Sequence, residues 1–199
     1  MKKFIKDILH ENLKNLINQA GEPSNYLAYH GSSHKITKFS DIFVGGKDAR
    51  DQEGPGIYFT TSYEDAKGYA GDGGYVYEVN LTPGKLLSND KKSDEKTLKP
   101  QVIKLIKSSK NWERIALSYG DDSEEGLDGM LWKYIDNSRN DKEVFVTLAS
   151  EVYKSEPGAY VKNMVKLGYD GVYLPSKDGG ANIVIYNPKS IKINKSEQI

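Results

Sequence analysis

Apolar residues recur along this chain in two rhythms. In the opening segment Ile5, Leu9, Leu13 and Leu16 return at helical spacing, and Ile8 and Ile17 widen the stripe. Gly21 and Pro23 end the pattern, so the spacing predicts an amphipathic helix over residues 1–22 that packs on the body of the domain. A handle for a partner is the alternative. Beyond it the period shortens to two. "NYLAYH" reads as a short strand entering a Gly-Ser-Ser turn, "IYFTT" as a buried strand, and "GYVYEVNL" as a half-buried strand with Tyr75, Tyr77, Val79 and Leu81 on one face. Residues 43–56, "FVGGKDARDQEGPG", carry glycines, charges and one Pro without any apolar period, which predicts a mobile loop. Ser62 with Asp65 three places on predicts the capped start of a helix that carries Ala66, Tyr69 and Ala70 and ends at Gly71.

"TPGKLL" reads as a turn leading to another short strand, and a Lys/Asp/Ser-rich link covers 88–97. Helical patterns then run around 99–109, 124–137 and 141–154, and a last helix at 158–167 is closed by Gly168. Strands return in "YDGVYL" and "NIVIYN", joined by "PSKDGG", and "IKI" adds an edge strand. No internal repeat is present. Strands, then helices, then strands give an α+β class: one domain over 23–199 with a helical insertion at about 88–157.

Composition narrows the function classes. The 199 residues are enough to bury a real core. With 28 basic against 28 acidic residues, net charge gives no whole-molecule attraction to nucleic acid or to an anionic membrane. There is no Cys, which excludes disulfides, thiolate metal sites and a Cys nucleophile, and suits a reducing cytoplasm. The Lys pair after Met1 is followed by charges every few residues, without the apolar run of about 7–15 residues that an export signal needs. No stretch is long enough to span a bilayer. The expectation is a cytoplasmic protein. His10, His30 and His34 have no ligand-spaced carboxylates, so no metal is expected, and no Ser sits on a nucleophile elbow.

The distinctive chemistry lies in "AYHGSS" (28–33) and "GPGIYFTTSYEDAKGYA" (54–70). The glycines of "GPGIYF", Gly56 above all, put bare backbone before a strand, as where a chain passes close to a flat ligand. Tyr58 on that strand and Tyr69 on the next helix can face one another across a slot of ring thickness and stack a planar heterocycle. His30 ends the first strand beside Gly31, whose backbone can hydrogen-bond an amide. Each residue also has an ordinary reading, as a core tyrosine or a satisfied structural imidazole.

The order and spacing of "YHGSS", "GPGIYFTTSYEDAKGYA" and "ANIVIYNPKSI" resemble the ADP-ribosyltransferases of the His-Tyr-Glu class, the group of diphtheria toxin and the poly(ADP-ribose) polymerases. With "LGYDGVYL" before the last strand, the layout is most similar to small phage-encoded domains of that class. The resemblance covers roughly 26–87 and 158–193. It implies a split mixed or antiparallel sheet with flanking helices, and NAD as co-substrate. His30 would bond the adenosine ribose, and Gly31 would hold the nicotinamide carboxamide, with Ser32 completing the motif. Tyr58 and Tyr69 would close the nicotinamide slot. Ala66 stands where the polymerases use a Ser on the carboxamide. The loop before Gly54 would cover the dinucleotide, with Lys47 or Arg50 reaching the pyrophosphate.

The third motif departs from the family, with Asn182 where the catalytic Glu belongs. A Glu stabilises an oxocarbenium-like transition state by its charge, whereas Asn can only hydrogen-bond the ribose. Asp178 in the preceding turn is the nearest acid in sequence. The expected activity is NAD-dependent mono-ADP-ribosyl transfer to an unknown macromolecular acceptor, a protein rather than nucleic acid, by a phage or bacterial effector acting in a cytoplasm. A catalytically weakened NAD or ADP-ribose reader is the alternative. An RNA 2′-phosphotransferase of the same fold uses a second His and basic residues instead, and Tyr58 argues against it.

Overall fold

The structure, a computed structural model, describes residues 25–40, 54–177 and 179–199. The expected helix over 1–22, positions 43–53 of the expected loop with Lys47 and Arg50, and Asp178 lie outside the described residues.

Among the described residues the period-two segments assemble into one mixed sheet of seven strands. These are β1 (Tyr26–Ser32), β2 (Ile57–Thr60), β3 (Tyr75–Leu81), β4 (Lys85–Leu87), β5 (Tyr169–Pro175), β6 (Ala181–Ile185) and β7 (Ile191–Gln198). Their order across the sheet is β4-β5-β6-β2-β1-β3-β7. The β4–β5 pair is parallel and the others are antiparallel. Among the described residues six α-helices accompany the sheet: α1 (Tyr63–Ala70), α2 (Glu95–Lys107), α3 (Trp112–Ala116), α4 (Ser123–Leu131), α5 (Asp141–Glu151) and α6 (Pro157–Lys166). The class is α+β.

Local chemistry starts and stops these helices, and α2 begins at Glu95, inside the stretch expected to be a polar link, because Asp94 caps it. Ser62 caps α1 by accepting the Asp65 N–H, and Gly71 ends it with φ of 67°, a backbone state that glycine adopts without steric cost. Asp94, Asp122 and Asn140 cap α2, α4 and α5 in the same manner. The main core joins Phe59, Tyr77, Val79, Ile183 and Val184 of the sheet to Leu98, Met130, Phe145, Leu148 and Tyr160 of the helices.

Three further details differ from the spacing-based reading. Gly31 and Ser32 continue β1 rather than turning, because they pair with Val76 and Tyr75 of β3. The short helix α3 has too few apolar positions to register as a period. The pattern at 124–137 is not one helix: α4 ends at Leu131 and continues as a π-helical turn, Trp132–Asp136. There Lys133 Nζ lies 2.7 Å from Glu151 Oε2 and 2.8 Å from the Tyr119 hydroxyl, while the Tyr134 hydroxyl donates to the same carboxylate at 2.9 Å. The wide turn thus lets two consecutive side chains reach one acid on α5, tying the helical segment together.

Candidate active site

The sheet nearly divides between β1 and β2. Strand β1 pairs with β3 through seven residues, yet it meets β2 at one pair only, Tyr29 opposite Thr60. Continuing that register would set His30 opposite Phe59 and Gly31 opposite Tyr58, and no such pairs form. In their place the His30 Nδ1–H donates to the Tyr58 carbonyl at 2.7 Å. A carbonyl can only accept, so the proton sits on Nδ1 and Nε2 keeps its lone pair. The imidazole ring is edge-on to Phe39 at 5.1 Å and tilted against Phe59 at 5.6 Å and Tyr77 at 6.3 Å. Burial among these rings lowers the His30 pKa, and the bond to Tyr58 opposes that shift only in part.

This burial has a measurable consequence. Because its folded-state pKa is depressed, His30 resists a proton that the unfolded chain accepts. Stability therefore declines as pH falls below about 6.5, well above the range near 4 where carboxylates titrate. In His30→Gln the amide can still donate to the Tyr58 carbonyl without titrating. Denaturant unfolding between about pH 5 and 8 should give a flatter stability profile for that variant than for the parent.

Strand alternation decides which candidates share a face. Thr60 lies opposite both Tyr29 on β1 and Asn182 on β6, so these three point to one side of the sheet. Tyr58, two residues before Thr60, points to that side too, as does Gly31, two after Tyr29. His30 and Phe59 belong to the other side. The structure thus brings Tyr58, Gly31 and Asn182 to one face, and His30 reaches them through the split by its bond to the Tyr58 carbonyl. Ser32 accepts the His34 N–H on its hydroxyl at 3.1 Å.

Helix α1 lies on the face that holds Tyr58 and Asn182. A side chain on Gly31 would begin 1.8 Å from the Ala66 carbonyl oxygen, so the helix rests directly on the β1 backbone. Ala66, fully buried, sits at that contact. Gly56 approaches β6 as closely: a Cβ there would stand 2.3 Å from Val184 Cγ1. The Tyr58 hydroxyl donates to the Gly54 carbonyl at 2.6 Å. Tyr69, on the outer turn of α1, is 70% exposed and so open to a ligand.

Between the first turn of α1 and the start of β6 lies a cavity of about 290 Å³, lined by Thr60, Ser62, Asp65, Ser176, Gly180, Ala181 and Asn182. Its walls are held by backbone: the Ala181 N–H donates to Thr61 Oγ1 at 2.8 Å, and the Ser176 N–H to the Gly180 carbonyl at 2.8 Å. Ser62, Asp65 and Tyr69 follow one another at i, i+3 and i+7, on one side of α1. Tyr69 therefore stands over the same side as the cavity wall. In the sequence Asp65 reads as a capping acid and not as a wall residue. The signal available was its spacing from Tyr69, one helical turn.

Among the described residues no group of three or more His, Asp or Glu side chains could hold a metal ion. No described helix is long and apolar enough to cross a membrane.

A family model described as "ADP-Ribosyltransferase in polyvalent proteins" matches residues 18–198. No curated protein matches the chain. Among solved structures, an anti-CRISPR protein aligns at 15% identity and a TM-score of 0.34, covering 88% of this chain and 96% of its own. The MbcT-MbcA toxin-antitoxin complex of M. tuberculosis contains a chain that aligns at 12% identity and a TM-score of 0.35, covering 89% and 86%.

Proposed function

The chain belongs to the ADP-ribosyltransferase family of polyvalent proteins, and from that premise we propose that it is an NAD-dependent mono-ADP-ribosyltransferase acting on a cellular macromolecule. The observation that carries this reading is the clustering of Tyr58, Thr60 and Asn182 on one sheet face beside a polar cavity, next to a sheet that opens at His30. In this reading nicotinamide lies between Tyr58 and Tyr69, with its carboxamide on the Gly31 backbone. The nicotinamide ribose enters the cavity over Asn182. Hydroxyls of Thr60, Ser62 and Ser176 with the Asn182 amide suit a pentose better than an apolar ligand. His30, with Nδ1–H engaged, offers Nε2 as an acceptor for an adenosine-ribose hydroxyl, while Ser32 and Gly56 shape the same end of the cleft.

A protein acceptor in a bacterial cytoplasm, and an effector role for a phage or bacterium, complete the proposal. A second reading is favoured by Asn182 itself: an NAD or ADP-ribose binder that holds the dinucleotide without cleaving it. Incubation with adenylate-labelled NAD and a bacterial lysate separates the two. Label transferred to a discrete protein band supports the transferase. Bound NAD without transfer or nicotinamide release supports the binder.

A further inference from the structure

Asp65 stands on the cavity wall with its carboxylate almost unused. Ser62 Oγ accepts the Asp65 N–H at 3.2 Å, and in a reciprocal cap the acid would accept the Ser62 N–H in return. That N–H goes instead to Thr60 Oγ1 at 3.1 Å. Among the described residues the carboxylate keeps one long contact, from Thr60 Oγ1 at 3.4 Å. The Asp65 side chain is solvent-exposed, and every other described lining residue is uncharged. A lone carboxylate among hydroxyls and an amide repels a phosphate and favours a group on which positive charge develops.

Cleavage of NAD at the nicotinamide ribose creates such a group. The C1′–N1 bond breaks with both electrons going to N1, which neutralises the pyridinium. The ribose is left with positive charge shared by C1′ and its ring oxygen, as in other glycosyl transfers. A lone pair of the acceptor then bonds to C1′, and the acceptor's proton passes to solvent. We propose that Asp65 supplies the negative charge facing this ribosyl cation, so that the amide of Asn182 orients the sugar while the carboxylate across the cavity stabilises the charge. The inference rests on the function proposed above.

The test compares the parent chain, Asp65→Asn, Asn182→Glu and the double variant, by nicotinamide release and by calorimetric NAD affinity. Asp65→Asn should lower release about a hundredfold, the loss typical of one preorganised electrostatic partner. Its NAD affinity should stay within a few-fold, since the lost interaction belongs to the transition state. Adding Asn182→Glu to that variant should restore most of the rate, which repair of a merely structural defect would not do. Equal release by the parent and Asp65→Asn overturns the inference, as does a loss that Asn182→Glu fails to restore. A parent chain that binds NAD but releases nothing overturns it as well. A parent chain that does not bind NAD contradicts the proposed function itself, so the two failures are distinct.

Discussion

Gly31→Ala unseats α1 and costs the protein both stability and its site. The added methyl would lie 1.8 Å from the Ala66 oxygen, 2.7 Å from the Ala70 nitrogen and 2.9 Å from the Ala66 carbonyl carbon. All three are backbone atoms, so no rotamer change relieves the contact and the helix must move as a unit. Overpacking of this kind costs about 1–3 kcal/mol and occasionally more, and the closeness here puts the expected loss at the upper end. Asp65 and Tyr69 ride on the displaced helix, so NAD affinity should fall with stability. Gly68→Ala is the matched control: it lies in the same helix with nothing within 4 Å of its added carbon. There the better helix propensity of alanine should raise stability by about 0.5–1 kcal/mol. Opposite signs at these two glycines, read by denaturant unfolding, would establish that α1 is clamped to β1 at Gly31.

Asn182→Glu should speed nicotinamide release by tenfold or more, where each factor of ten is about 1.4 kcal/mol of barrier. The position is well supported for this. Asn182 lies opposite Thr60 in the β2–β6 ladder and opposite Leu174 in the β5–β6 ladder, on a strand held from both sides. A carboxylate placed there would face the cavity from a rigid base and would add to the charge of Asp65. On the proposed function an amide at this point would orient the ribose equally well in ground and transition states. NAD affinity should therefore change little while turnover rises. Asn182→Ala removes the orienting group and should lower whatever turnover the parent chain has.

Much of this architecture was legible because its signals are local. Alternation in "GYVYEVNL" and "NIVIYN", the Ser62 cap and the Gly71 and Gly168 stops each depend on a few neighbouring residues, and β3, β6, α1 and α6 lie where those residues indicate. What escaped depended on distant partners. "HGSS" has the composition of a turn, but pairing of Gly31 and Ser32 with β3, more than forty residues on, keeps the chain extended. The same pairing puts His30 on the face opposite Tyr58, which period-two counting can reveal only once the register is known. Gly31 and Gly56 also let protein approach closely, α1 in one case and Val184 in the other, contacts that no local pattern reveals. Asp65 has the spacing of a capping residue, but the Ser62 N–H goes to Thr60 Oγ1, which leaves the carboxylate with one long contact, from the Thr60 hydroxyl.

On the proposed function the cavity between α1 and β6 receives the nicotinamide ribose of NAD, and the C1′–N1 bond breaks there. Free nicotinamide, measured over time after mixing the chain with NAD and a bacterial lysate as acceptor, tests it most directly. Release should scale with protein concentration and fall sharply in Tyr58→Ala, which on the proposed function removes one wall of the nicotinamide slot. Release no faster than from NAD in lysate alone, together with no detectable NAD binding, would contradict it.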